Sequence, residues 1–559
     1  MGDDHRSLGL RLILPSLILA ALAGHTTAPR QAPYVPAWTM VALDIDLTPE
    51  PSAGRLAVTG RARLRLAADS ASEVVLELNT RGPVSRFAAA AVTGGGGGAR
   101  LNLKVPEDTA VLLARLPLGR VRRRGDTVEV SFRTVTRGAS SQLLVRPGLA
   151  LGSWVEQWYP TPRSDSGFTA ARAAAPGVTR LHLPAGWRAV TSGYRLDRRV
   201  TGASAVETWQ VDDAVARSFI AAPYTAITRR SGTREIGFYV LGERRRSAEA
   251  QAAVLERALE ALEARFGPYP YRSYAVAEVP DSAVSWSASS EQGFIIANSS
   301  IVSDSVGNLP LFAHEAAHGW WGNAVNTSGP GAMMGSEALA QLGAVIAIET
   351  LEGDSAMRQF LRFSRPGYSP IQCALGYFYI WRQGGDRPLA ELDDARWDHD
   401  LADSKGMWFY QMVREELGDA RFFAALRGLL ERFRGRAMRL DDIRAAFLRS
   451  APDSAALAPV LAQWLDRAGA PVIDLDWWSL RRNDKPGLAL RFRQRQAGPP
   501  HRLRLEVGVR TDSGSTIVPV TLDDTATSID LDTPGRPLEV RLDPRNRLLL
   551  WRPEYGPRP

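Results

Sequence analysis

The sequence predicts a multidomain α+β protein: an N-terminal β-sheet domain, a helix-rich middle domain and a small C-terminal β-sandwich. Three observations carry this. At 559 residues the chain is too long for one ordinary core, so several domains are expected. Apolar and polar residues alternate with a period of two from about residue 34 to 235, and again from 470 to the end. Between 236 and 468 the period lengthens to that of amphipathic helices.

Residues 1–24 read as a targeting segment, a signal peptide or an anchor. Arg6 and Arg11 precede an apolar run from Leu12 to Ala23, which closes with Ala21-Leu22-Ala23 before Gly24, the small-x-small pattern of a signal-peptidase site. Export, periplasmic or secreted, is the expectation. The alternative is membrane anchoring by residues 8–23 alone, since no later apolar run is long enough to span a bilayer. Cys373 is the only cysteine, so no intrachain disulfide can form. Lys and Arg exceed Asp and Glu by 68 to 60. That small excess, nearly all Arg and without a nucleic-acid-binding motif, reads as solvated surface and excludes a nucleic-acid function.

In the N-terminal domain, 34–235, Leu43, Ile45 and Leu47 alternate with polar residues. Ala62, Leu64 and Leu66 alternate with three arginines, and Val128, Val130 and Phe132 repeat the pattern. These are strands with one wet face. The run Gly94 to Gly98 is a loop; no Lys-Ser/Thr follows it, so it is no phosphate cradle. His182, isolated in a strand pattern, reads as structural.

The middle domain, 236–468, opens after Arg244–Arg246. Ser247 is the expected N-cap of a helix carrying Val254, Leu255, Ala258, Leu259 and Leu262 and closed by Gly267. A short β region, Tyr274 to Val279, precedes a serine-rich loop at 285–290 and Glu291.

The chemistry is concentrated in Leu311 to Glu337, LFAHEAAHGWWGNAVNTSGPGAMMGSE. On one helix, opened by Pro310, His314 and His318 lie one turn apart on the same face and aim at a common point. Two neutral imidazoles suit Zn2+. Glu315 sits too close to them to share the coordination sphere, but it can reach a water held there, which makes it a candidate general base. A catalytic zinc needs a third protein ligand and an open position. The Gly- and Pro-rich run from Asn323 to Gly335 ends the first helix. A second helix, patterned by Leu339, Leu342, Val345 and Ile346, begins at Ser336–Glu337 and carries Glu337 back toward the histidines. A lone histidine pair on a helix is more often structural; with only 7 histidines in the chain, the full His-Glu-x-x-His pattern plus a later glutamate favours the metal.

His314-Glu315-x-x-His318, eighteen residues, then Glu337 resembles the zinc signature of the aminopeptidase N and leukotriene-hydrolase family of gluzincin metallopeptidases. The spacing by itself also fits a thermolysin-type endopeptidase. Phe266-Gly-Pro-Tyr-Pro-Tyr271 resembles that family's FGxYPY entry to the catalytic domain, and Ser289-Ser-Glu-Gln-Gly293 stands where its GxMEN motif is expected. Trp158-Tyr-Pro160 and the stretch Leu181 to Trp187 are similar to landmarks of the family's N-terminal domain. The resemblance implies a thermolysin-like zinc catalytic domain, one zinc ion on His314, His318 and Glu337, a peptide substrate, and a role for Glu291 in binding the substrate's free α-amine. Ala288, Ser290 and Gln292 depart from the Gly, Met and Asn of the motif.

A second departure is larger. The family's Tyr-x-Lys-Gly, whose tyrosine donates to the tetrahedral oxyanion, is matched here by Asp403-Ser-Lys405-Gly406. An ionised aspartate repels such an oxyanion, and losing one donor commonly costs about a hundred- to a thousandfold in rate. Asp403 is therefore the catalytic position in question. Three outcomes are open: another phenol (Tyr410, Tyr379, Tyr377 or Tyr368) reaches the site, the metal alone sustains slow turnover, or the chain is a zinc-binding scaffold without peptidase activity. Lys405 is expected either to pair with Asp403 or to lie on a helix surface. His399, between acidic residues, reads as a surface side chain. Helices are expected at Met407–Leu417, Arg421–Phe433, Leu440–Leu448 and Ala455–Leu465. From 470, Leu488, Leu490 and Phe492, then Leu503, Leu505, Val507 and Val509, mark the terminal β-sandwich.

Overall fold

The computed structural model describes residues 38–559 apart from 80–83, 93–99, 104–110, 139, 164–173, 232–233, 304–307, 366–367, 394 and 483–484. The leader at 1–24 and the glycine run at 94–98 lie outside the described residues. The molecule is mixed α+β, mostly sheet with a helical part.

Alternation becomes strand as expected. Trp38–Glu50 buries Leu43, Ile45 and Leu47 and pairs antiparallel with Arg55–Leu66, which turns Ala62, Leu64 and Leu66 inward and its arginines out. Thr127–Arg137 extends this sheet on one side, and Gly177–Pro184 runs parallel to Trp38–Glu50 on the other. Among the described residues the sheet has eight strands, with a three-stranded and a four-stranded sheet beside it. Their apolar faces close over a core that includes Trp158, Tyr159 and Trp187. His182 Nε2 meets Asp46 Oδ1 of the neighbouring strand at 3.2 Å, a sheet contact.

Next comes a five-stranded mixed sheet. Arg234–Val240 leads through the helix Arg245–Phe266 to the parallel strand Ser273–Val279. That helix starts at Arg245 rather than at Ser247. The Ser247 hydroxyl is drawn to the Val302 carbonyl at 3.0 Å instead of capping. Gly267, at φ 95°, ends the helix as expected. Residues 288–291, expected as part of a loop, form the strand Ala288–Glu291 at the sheet's edge. It pairs antiparallel with Phe294–Asn298 through a turn at Gly293 (φ 95°). A strand this short, wet on one side, leaves no alternating apolar signature.

The later helices fall close to expectation: Met407–Leu417, Asp419–Phe433, Leu440–Ser450 and Ser454–Leu465. One reading is corrected. Lys405 is fully buried and pairs with Asp386 (Nζ–Oδ1 3.1 Å), not with Asp403, and its ammonium lies over the Tyr377 ring. A buried ammonium needs a counter-charge, and Asp386 supplies it.

The C-terminal strands form two three-stranded sheets. Their buried rows Leu488, Leu490, Phe492 and Leu503, Leu505, Val507, Val509 are continuous with the apolar core of the helices. Among the described residues no helix is long and apolar enough to cross a membrane.

Candidate metal centre

The first site helix spans Leu309–Ala317. Asn308 caps it by accepting the Leu311 N–H at 3.2 Å, and Pro310 occupies its first turn. His318 continues the right-handed turn as the C-cap, so it still sits one turn beyond His314 on the same face. The second site helix, Glu337–Glu352, begins with the ligand candidate itself, where a carboxylate favours the positive end of the helix dipole. Close packing of the two helices depends on Gly343: a Cβ there would lie 2.5 Å from Ala317 Cβ.

This packing brings three ligand atoms together. His314 Nε2 and His318 Nε2 stand 3.2 Å apart, and Glu337 Oε2 lies 3.7 Å from the first and 3.4 Å from the second. All three groups are largely buried, at 6%, 12% and 22% side-chain exposure. Outer partners fix each ring. His314 Nδ1 donates to Gln341 Oε1 at 2.8 Å, and His318 Nδ1 donates to the Trp321 carbonyl at 3.1 Å. Both acceptors are carbonyl oxygens, so the proton of each neutral imidazole sits on Nδ1 and the Nε2 lone pair is free. Two lone pairs facing each other at this distance repel unless a proton or a metal ion lies between them. The arrangement therefore fits a metal ion held by His314, His318 and Glu337.

The electrostatics agree. Burial alone would lower His318, but the Glu337 carboxylate outweighs it and lifts the imidazole to about 9. Burial pushes Glu337 up, and the two imidazoles more than offset this, holding the carboxyl well below its ordinary range. The site is built to hold positive charge.

The aromatic sequence before the helix is the support of His318. Phe266 packs edge-on to Trp320 and Trp321, and Tyr269 packs edge-on to Trp320, with ring centroids 5.1–5.7 Å apart. Trp320 Nε1 donates to the Gly267 and Pro268 carbonyls, each at 3.2 Å. Gly319 has no Cβ because one would meet Tyr269 Cε2 at 2.3 Å. The Trp321 carbonyl that orients His318 is thus anchored by Phe266–Tyr271.

Glu315 is buried beside the histidines, and among the described residues no hydrogen bond engages its carboxylate. Burial lifts its pKa, with His314 and His318 opposing. Ser290 Oγ donates to the Glu315 carbonyl at 3.2 Å, tying the edge strand Ala288–Glu291 to the site helix. On that strand Glu291 is 1% exposed and accepts the Ser218 hydroxyl from the N-terminal part, with the Ser289 hydroxyl at 3.5 Å. Burial raises its pKa to about 7 against these hydroxyls.

Asp403 lies in a single π-helical turn, Ala402–Gly406, an irregularity common at functional sites. It is fully buried. Oδ2 accepts from Gln372 Nε2 and stands 3.4 Å from His399 Nε2, and Oδ1 has no partner among the described residues. His399 is exposed, as the sequence reading expected, and its ring faces two carboxylates. One ring nitrogen meets Asp403, and Nδ1 lies 3.6 Å from Glu337 Oε2. The two carboxylates raise its pKa to about 8 against the effect of burial.

Of the four tyrosines considered, Tyr410 donates to the Met334 carbonyl at 2.6 Å, Tyr377 to Asp386 at 2.9 Å, and Tyr379 is exposed. Tyr368 alone belongs to the site's network. Its hydroxyl donates to Gln341 Oε1 at 2.7 Å, the same oxygen that holds His314.

The residues the sequence reading missed are Gln341, Gln372, Ser218 and the role of His399. Gln341 had a signal: it follows Glu337 by one helical turn and must face the same way. His399 and Asp403 share that spacing. Ser218 and Gln372 come from distant parts of the chain and had none.

The sequence matches no protein-family model and no curated protein. Among solved structures it is similar to the crystal structure of Legionella pneumophila aminopeptidase A in complex with aspartic acid. The TM-score is 0.69 at 15% sequence identity, over 92% of this chain and 59% of that one. The chain thus spans 59% of that structure's length and shares its fold.

Proposed function

We propose that the protein is a zinc metallopeptidase, most specifically an aminopeptidase that removes N-terminal residues from peptides. The observation that carries this reading is the pair of Nε2 lone pairs 3.2 Å apart beside Glu337, with Glu315 buried next to them. Zinc on His314, His318 and Glu337 would supply a Lewis acid that polarises the scissile carbonyl and brings the pKa of a water toward about 7. Glu315 takes a proton from the attacking water as its oxygen bonds to the carbonyl carbon. It then passes that proton to the amine nitrogen as the C–N bond breaks. A carboxyl lifted by burial is a better base for this than an exposed one.

Glu291 would pair with the substrate's free ammonium. Its edge strand offers unpaired backbone groups to an extended peptide, and its link to the Glu315 carbonyl holds amine site and base in one frame. The shared fold with an aminopeptidase supports the same choice. The test compares zinc-loaded wild type with Glu315→Gln on peptides with free and with blocked amino ends. Hydrolysis of free-ended peptides only, lost in Glu315→Gln with zinc retained, supports the proposal. Equal cleavage of blocked peptides would make it an endopeptidase, and activity surviving Glu315→Gln would remove this mechanism.

A further inference from the structure

The positive charge of the chain is not spread evenly. Between residues 34 and 235 it carries 27 Lys and Arg against 17 Asp and Glu, whereas from 236 to 559 the balance is 38 to 41. The excess therefore belongs to the N-terminal domain, and part of it is gathered on one surface. Alternate residues of a strand share a face. Arg61, Arg63 and Arg65 of the strand Arg55–Leu66 point away from the core and are exposed. The neighbouring strand Thr127–Arg137 adds the exposed Arg133 and Arg137 to the same face, opposite Thr59 and Arg55.

Like charges side by side on a sheet repel, and acids across the ladder usually answer them. Here the acids are spent elsewhere. Asp44, opposite Arg61, accepts the Val178 N–H; Asp46 faces Arg180 and His182; Glu50 holds Arg55. Glu129 stands opposite Arg63 without forming an ion pair. Among the described residues no salt bridge engages any of the five arginine side chains. The fold draws no ion pair from this row, and the repulsion within it is a cost that a ligand of opposite charge removes.

We propose that this arginine face docks the protein on a membrane surface of anionic lipid. Charge complementarity is the first reason: a guanidinium pairs bidentately with phosphate oxygens, and each basic residue near an anionic leaflet adds to the attraction. An open sheet face spreads its charges as a layer of headgroups does, whereas a single small anion calls for side chains that converge. The second reason is where the chain enters. Trp38 lies opposite Leu66 and Thr39 opposite Arg65, so the N-terminal segment joins the sheet at the end of the arginine row. The apolar run that closes at Ala23 stands fourteen residues before Trp38, a reach of at most about 50 Å when extended. An anchor at residues 8–23 would hold this face close to the bilayer, and a cleaved leader would leave the arginines as the attachment.

The test compares the full-length protein with a variant carrying Arg61→Gln, Arg63→Gln and Arg65→Gln. A control carries Arg421→Gln, Arg436→Gln and Arg449→Gln, which removes the same charge from exposed positions of the helical part. Co-sedimentation is measured with vesicles of phosphatidylcholine alone, and with vesicles in which about a third of the lipid is phosphatidylglycerol, at low and at high salt. The neutral vesicles measure what the apolar leader contributes. Wild type and control should bind the anionic vesicles about tenfold or more tightly than the neutral ones at low salt, a preference that salt screens. The sheet-face variant should lose about ten- to a hundredfold of its affinity for anionic vesicles, with its circular dichroism unchanged. A second variant, Arg133→Gln with Arg137→Gln, should show a smaller loss in the same direction. Equal binding of the wild type to both vesicle types overturns the inference, and so does an equal loss in the sheet-face variant and the control, which would reduce the effect to net charge. Capture of soluble polyglutamate by a wild type that shows no preference for anionic vesicles would put an acidic chain in place of lipid and also overturns it.

Discussion

His314 Nε2 and His318 Nε2 face each other across 3.2 Å while the outer nitrogen of each ring is committed to a carbonyl oxygen. The first of those oxygens belongs to Gln341, which also accepts from Tyr368. Replacing Gln341 by Leu removes the acceptor without opening space. We expect zinc affinity to fall about ten- to a hundredfold, read by competition with a chromophoric chelator, with the fold retained by circular dichroism.

Glu291 couples function to stability. Its carboxyl has a pKa of about 7 in the folded chain against 4.5 ordinarily, because burial outweighs the serine hydroxyls. A group raised on folding binds its proton more tightly in the folded state. Its stabilising contribution is full below pH 4.5 and is lost as pH rises through about 7. Glu291→Gln carries no charge to bury, so at pH 8 it should be more stable than wild type by roughly 1–3 kcal/mol. The two should converge near pH 4. Urea denaturation at both pH values measures this, and the same variant should lose its preference for free amino ends.

The approach of the two site helices at Gly343 sets the distance between Glu337 and the histidines. A methyl there would lie 2.5 Å from Ala317 Cβ and 3.3 Å from Leu262 Cδ2. Gly343→Ala should cost about 1–3 kcal/mol by overpacking. It should also weaken zinc retention, although residue 343 touches no ligand.

The Asp386–Lys405 pair supports the π-helical turn that carries Asp403. Asp386 accepts from Lys405, from the Tyr377 hydroxyl and from the Gly469 N–H. Asp386→Ala would strand a buried ammonium and should cost about 3–5 kcal/mol. Adding Lys405→Met should return part of that loss, a coupling that chemical denaturation of the double-mutant cycle detects.

Much of this molecule was legible in its sequence, for physical reasons. Period-two alternation marked the strands around Leu43–Leu47 and Ala62–Leu66, where one face is wet. The four-residue spacing of His314 and His318 fixed their common face before any fold was known. The edge strand Ala288–Glu291 was missed because its serines carry no alternation, and its pairing with Phe294–Asn298 depends on the rest of the sheet. Lys405 was misjudged, and the contact of the exposed His399 with Glu337 went unseen, for one reason. Charged residues are read as solvated by default, and the partners these two face, Asp386 and Glu337, lie 19 and 62 residues away in the chain.

Zinc quantification in the purified full-length protein, beside His318→Ala and Glu337→Gln, tests the central claim most directly. The expected result is one zinc per chain in the wild type and little or none in either variant, with Glu315→Gln retaining the metal. A wild type without zinc, or variants that hold it as tightly, would contradict the metal centre and the chemistry built on it.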